Sequence, residues 1–176
     1  MALSPSPSRS AREISPGLAV VAGGVTAALL DITYAFTFFG LTRGTGPEKI
    51  LQSIASGVLG KAAYAGGAAA AALGGALHVG IALVMALVYV AASRALPALN
   101  RRPWLWGPLY GIGCYVVMNY VVLLLRFGPR PPPHLDVLIG GLAIHMFGVG
   151  LPIALFAARA AWRGPSIPTT VQVPAA

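Results

Sequence analysis

The chain predicts an all-α membrane protein, with four transmembrane helices and a short amphipathic helix that is interfacial or re-entrant. Three observations carry this. Of its 176 residues, 57% are hydrophobic and only 9% charged, against about 25% charged in a soluble domain. Four mostly apolar stretches reach the roughly 20 residues needed to cross a hydrocarbon layer. These stretches are also rich in glycine and alanine, and small residues let membrane helices approach closely. A bilayer core offers backbone amides no water, so such segments must be helices.

Taken in order, residues 1–16, MALSPSPSRSAREISP, are polar and Pro/Ser-rich and predict a disordered tail. Arg9 and Arg12 precede an apolar run as in a signal peptide, but no small-x-small cleavage site followed by polar sequence ends that run. The transmembrane domain covers 17–163, with spans at about 17–40, 64–93, 104–125 and 137–161. Between the first two lies TGPEKILQSIASGVLG. Thr45 and Glu48 have capping-box spacing, and Pro47 suits the first helical turn. Ile50, Leu51, Ile54, Val58 and Leu59 then share one face, and Glu48, Lys49, Gln52, Ser53 and Ser56 the other. This predicts an amphipathic helix over about 46–60, too short to span, that lies in the interface or dips in as a lid. The connection GPRPPPH predicts stiff polyproline, with His134 and Asp136 solvated. Residues 164–176 predict a second disordered tail.

The net charge is +8, from twelve Lys or Arg against four acids. The basic residues are scattered between apolar segments, a pattern of membrane flanks and anionic headgroups. The partner this implies is the lipid bilayer, not nucleic acid. An even number of spans leaves both termini on one side. That side collects seven basic residues (Arg9, Arg12, Arg94, Arg101, Arg102, Arg159, Arg163) and the other five (Arg43, Lys49, Lys61, Arg126, Arg130), which puts the termini in the cytoplasm. Trp104, Trp106 and Trp162 fall on the same side as interface anchors, with Arg101 and Arg102 beside them. Arg126 closes the third span and is expected to snorkel to the opposite interface. The single Cys114 excludes an intrachain disulfide.

Each span carries one strongly polar side chain near its middle: Asp31, His78, Asn119 and His145. Asp31 shares a helix face with Gly24, Ala27, Ala28 and Ala35; His78 with Gly67, Ala71, Gly74, Gly75 and Ala82; His145 with Gly141 and Gly148. Small residues at this spacing mark a helix–helix contact. Alternating helix direction puts all four groups at a common depth, within about 6 Å at 1.5 Å rise per residue. An ionised Asp in hydrocarbon costs about 2.5–3.5 kcal/mol. It must stay protonated, pair with an imidazolium, or take up a cation or proton from a wet cavity. Convergence of Asp31, His78 and His145 would therefore make a proton or ion centre. The alternatives are a polar network that only fixes packing, and a divalent-metal site held by Asp31, His78 and His145.

Enzyme motifs are missing. GVLGKA lacks the spacing and the Ser/Thr of a phosphate loop, GPLYGIGCYV lacks the third glycine of a dinucleotide fingerprint, and neither His-Glu-x-x-His nor Gly-x-Ser-x-Gly occurs. No cofactor is implied, and the chain is read as a non-enzyme.

DITYAFTFFGL, ILQSIASGVLG, GGALHVGIALVMALVYVAASRALP, GPLYGIGCYVVMNYVVL and HMFGVGLPIALFAAR together cover most of residues 20–160. In these segments the chain resembles the uncharacterised four-helix bacterial inner-membrane proteins of the YagU-like group. The resemblance implies an inner-membrane location and supplies no activity or functional residues. The expectation from sequence is thus a small proton- or ion-handling membrane protein, for which a homo-oligomer would provide a wider path. A structural or accessory membrane subunit and a metal-dependent membrane enzyme are the alternatives.

Overall fold

The computed structural model describes residues 13–160. It contains five principal helices: α1 Pro16–Arg43, α2 Pro47–Leu59, α3 Gly67–Ala95, α4 Pro103–Phe127 and α5 Leu135–Ala157. α1, α3, α4 and α5 are each long and apolar enough to cross a membrane, the architecture of a multi-pass membrane protein. Among the described residues the only β pairing is one bridge, Ile14 to Ala160.

Local chemistry sets the helix ends. Ser15 caps α1 by accepting the Leu18 amide at 3.2 Å, with Pro16 in the first turn. Gly44, at φ 64°, ends α1 in the left-handed conformation, and its amide donates to the Gly40 carbonyl. Residues 13–16, expected to be tail, belong to the fold: the Ile14 amide donates to the Arg159 carbonyl at 3.0 Å, which ties the start of α1 to the end of α5. That turn also stops α5 at Ala157, short of the expected 161. Residues 1–12 and 161–176 lie outside the described residues, and with them Arg9, Arg12, Trp162 and Arg163.

The capping box expected at Thr45 and Glu48 does not form. Gly46 occupies the N-cap of α2 without a side-chain bond, and the Glu48 carboxylate accepts from Gln52 Nε2 at 3.0 Å instead. A 3₁₀ segment, Gly60–Ala65, joins α2 to α3 and takes the residues expected to open the second span.

The four long helices form an arc in the order α4, α5, α1, α3, with α2 laid on α3. Each junction is made by glycine. A Cβ on Gly24 of α1 would sit 3.0 Å from Leu83 Cα of α3, and one on Gly23 would touch Ile153 of α5 at 3.4 Å. On α4, Gly107 and Gly111 face α5, where a Cβ on Gly111 would strike the His145 carbonyl. On α3, a Cβ at Gly74 would strike the Leu51 carbonyl of α2. The core is correspondingly small-grained, with Ala19, Ala27, Ala86, Ala154 and Ala157 fully buried around Tyr89 and Ile153. Large apolar side chains such as Leu29, Val84, Leu87 and Leu125 point outward, the inverse of a soluble bundle and the pattern a lipid solvent demands.

Candidate functional site

Asp31 lies on the α1 face that carries the buried Ala27 and Ala28. Because these residues are small, α3 comes close enough for His78 to reach across: its Nε2 stands 3.0 Å from the Ala28 carbonyl. A carbonyl can only accept, so His78 Nε2 carries a hydrogen. On α5, His145 opens a π-helical stretch, His145–Gly150, in which the Leu151 amide bonds five residues back to Met146. Its Nδ1 donates to the Gly141 carbonyl at 2.9 Å. π-Helical turns widen a helix locally and are frequent at functional sites.

These placements put Asp31 between the two imidazoles. Its Oδ2 is 3.9 Å from His78 Nε2 and its Oδ1 is 3.8 Å from His145 Nδ1. Both distances exceed a hydrogen bond and suit an ion pair once either imidazole is protonated. At about 4 Å such a pair is worth about 4 kcal/mol for an effective dielectric of 20. That is comparable to the cost of an intramembrane carboxylate. The three side chains are 17–23% exposed, so the group is largely enclosed by the bundle.

Asn119 sits in a second π-helical stretch, Val117–Val122 of α4. It lines the same cavity as Asp31, His78 and His145, a volume of 330 Å³. It does not orient them as expected: its Nδ2 donates to the Tyr115 carbonyl at 3.0 Å, and among the described residues it bonds to none of the three. Its place is at the mouth. Asn119, Phe39 and Leu123 line both this cavity and an adjoining vestibule of 970 Å³, whose lining includes Arg43, Arg130 and His134.

α2 roofs the cavity with Ile50 and Ile54. Its polar face divides in a way the helical wheel does not show. Glu48, Lys49 and Ser53 are exposed. Gln52 and Ser56 are buried at 7% and 5% exposure, with Gln52 Nε2 shared between Glu48 and the Gly67 carbonyl and Ser56 Oγ donating to the Ser53 carbonyl. The cause is Gly74, which draws α2 onto α3 along its small and polar side. Val58 and Leu59 are left outward.

Two basic residues have partners that the sequence reading missed. Arg126 turns back to α2, donating from Nε to the Gly57 carbonyl at 2.6 Å and from Nη2 to the Ser56 carbonyl at 3.4 Å. Arg43, in the last turn of α1, pairs with Asp136 at 2.9 Å. Asp136 is exposed, as expected, but it is a helix residue rather than a loop residue. It lies in the first turn of α5, where its Oδ1 also accepts the Val137 amide. The signal for it was an acid three residues after a proline run and just before an apolar stretch. Trp104 is 70% exposed at the start of α4, close in sequence to the exposed Trp106, Arg101 and Arg102.

The metal reading of Asp31, His78 and His145 does not fit. Each imidazole turns a hydrogen-bearing nitrogen toward the carboxylate, whereas a metal needs the lone pair there. Among the described residues no cluster of His, Cys, Asp or Glu is arranged to hold a metal ion.

Comparison of the chain with protein-family models, with curated proteins and with solved structures finds no match.

Proposed function

We propose that this chain is a small proton- or ion-handling protein of the bacterial inner membrane, with both termini in the cytoplasm and α2 lying as a lid at the outer interface. The YagU-like resemblance supports the location, and the seven-to-five basic residue count supports the orientation. One observation carries the functional reading: a carboxylate flanked by two imidazoles, in a cavity adjoining a vestibule through Asn119.

The far ring nitrogens, His78 Nδ1 and His145 Nε2, are the open proton acceptors, because the near ones already bear hydrogens. A proton arriving there converts the ring to imidazolium, whose positive charge attracts the Asp31 carboxylate while its near N–H stays on the Ala28 or Gly141 carbonyl. Carboxylate and imidazolium then form a net-neutral unit, cheap to hold in a low dielectric. Alternatively the proton settles on Asp31 and leaves both rings neutral. Tyr34 of α1 and Tyr115 of α4 are the further titratable groups at the site, the Tyr115 ring standing edge-on to His145 at 5.4 Å between centroids, while Ile50 and Ile54 of α2 and Met118, Asn119 and Leu123 of α4 line the cavity. Toward the cytoplasm the path is closed by the packed core around Ala86, Tyr89 and Ile153. The arrangement is a half-channel, and net transport requires a helix movement or a second copy.

The accessory-subunit reading also has an observation behind it, since both imidazoles are anchored to backbone carbonyls. Among the described residues, however, Asp31 accepts no hydrogen bond within normal reach, so it does not tie a helix pair together by one. Asp31→Asn and His78→Ala, each purified and reconstituted, separate the two: proton flux in liposomes is measured beside thermal stability in detergent. Flux lost with stability kept supports the proton reading. A wild type without flux, together with destabilised variants, supports the accessory one.

A further inference from the structure

α4 packs on α5, α5 on α1 and α1 on α3, but α3 and α4 do not pack along their length. Between them runs a groove of 890 Å³ whose walls are almost wholly apolar, among them Val84 and Val88 from α3 and Val117 from α4. It continues into a second hollow of 720 Å³ through the shared residues Leu77, Ile81, Met118 and Val122. That hollow ends at two cations, Arg126 and Arg130, with Ser53 and Tyr64 beside them.

We propose that this seam binds one anionic glycerophospholipid, its acyl chain in the groove and its phosphate at Arg126 and Arg130. Charge complementarity names the occupant: an apolar slot capped at one end by two guanidiniums matches an amphiphile with an anionic head. Arg130 makes no hydrogen bond or ion pair among the described residues, so its donors are available. Length agrees. Tyr110 floors the groove, held by its hydroxyl on the Met85 carbonyl at 2.8 Å and its ring against Tyr89. From Tyr110 to Arg126 the rise is about 24 Å, enough for a chain that fills one leaflet of roughly 15 Å and the headgroup above it.

The site also explains how the polar centre stays dry on its open side. Ile81, Met85 and Met118 line both the groove and the Asp31 cavity. These shared residues stand between the two hollows, and two of them are flexible methionines. A seated acyl chain completes that wall. This inference needs the membrane-spanning bundle and not the proton chemistry, so either can fail without the other.

The full-length protein is equilibrated in mixed micelles with equimolar phosphatidylglycerol and phosphatidylethanolamine and examined by native mass spectrometry. One retained phosphatidylglycerol per chain is expected. Gly80→Phe and Gly113→Phe fill the groove from positions where an added Cβ meets nothing within 4 Å. Each should abolish retention while thermal stability stays at the wild-type level. Arg130→Gln should weaken retention at least tenfold. Equal retention of the two lipids, retention unchanged by the variants, or a dimer that the Phe variants dissociate would each overturn the proposal.

Discussion

Arg126 at the end of α4 donates from Nε to the Gly57 carbonyl of α2 at 2.6 Å, so α2, already packed on α3, is also tied to α4 by a residue 69 positions further along the chain. A cation on the last-turn carbonyls offsets the helix dipole and satisfies acceptors that a helix end leaves open. Arg126→Met should cost about 1–2 kcal/mol. Hydrogen exchange should then rise in residues 47–59 and stay unchanged in α1. Uniform loosening of all helices would show that the bond supports the whole bundle instead.

Gly111 and Gly113, two residues apart and so on roughly opposite sides of α4, should behave oppositely. A Cβ at Gly111 strikes the His145 carbonyl, whereas one at Gly113 meets open space. Gly111→Ala is expected to lower stability by about 1–3 kcal/mol through overpacking, and to displace His145. Gly113→Ala should be neutral or slightly stabilising through helix propensity. Thermal unfolding in detergent reads both, and equal effects would refute the close crossing of α4 and α5.

The Arg43–Asp136 pair joins the C-terminal end of α1 to the N-terminal end of α5 in partial contact with solvent. Its contribution is therefore small and screened by salt. Asp136→Asn should lower the unfolding temperature slightly at low ionic strength, and the difference should vanish at high salt. A loss independent of salt would assign the effect to the Val137 cap rather than to the ion pair.

Replacing Asp31 with leucine distinguishes a functional acid from a structural one. With no hydrogen bond to lose, Asp31→Leu is expected to leave stability unchanged or raised, as buried charges replaced by apolar groups often do. Asp31→Leu should also abolish flux. A marked fall in stability would mean that the carboxylate holds the helices in register.

The span count and the meeting of Asp31, His78 and His145 were legible because both depend on one-dimensional facts: apolar length, small residues at helical spacing, and equal depth in alternating helices. What was not legible came from contacts between segments. Glycine 74 pulls α2 onto α3 by its polar side, and no helical wheel of α2 contains Gly74. Asn119 keeps the right depth, but its position in a π-helical stretch turns its amide to Tyr115. Arg126 and Asp136 looked like interface and loop residues because their partners, Gly57 and Arg43, lie far away in the chain.

The central claim is that the Asp31 carboxyl gains and loses a proton inside the bundle. Difference infrared spectroscopy of the reconstituted protein during a change of external pH reads this directly, and with only four acids in the chain the carboxyl region can be assigned. The account predicts a pH-responsive carboxyl band that is absent in Asp31→Asn and shifted in His145→Gln. A spectrum in which Asp31→Asn removes no pH-responsive band would contradict it.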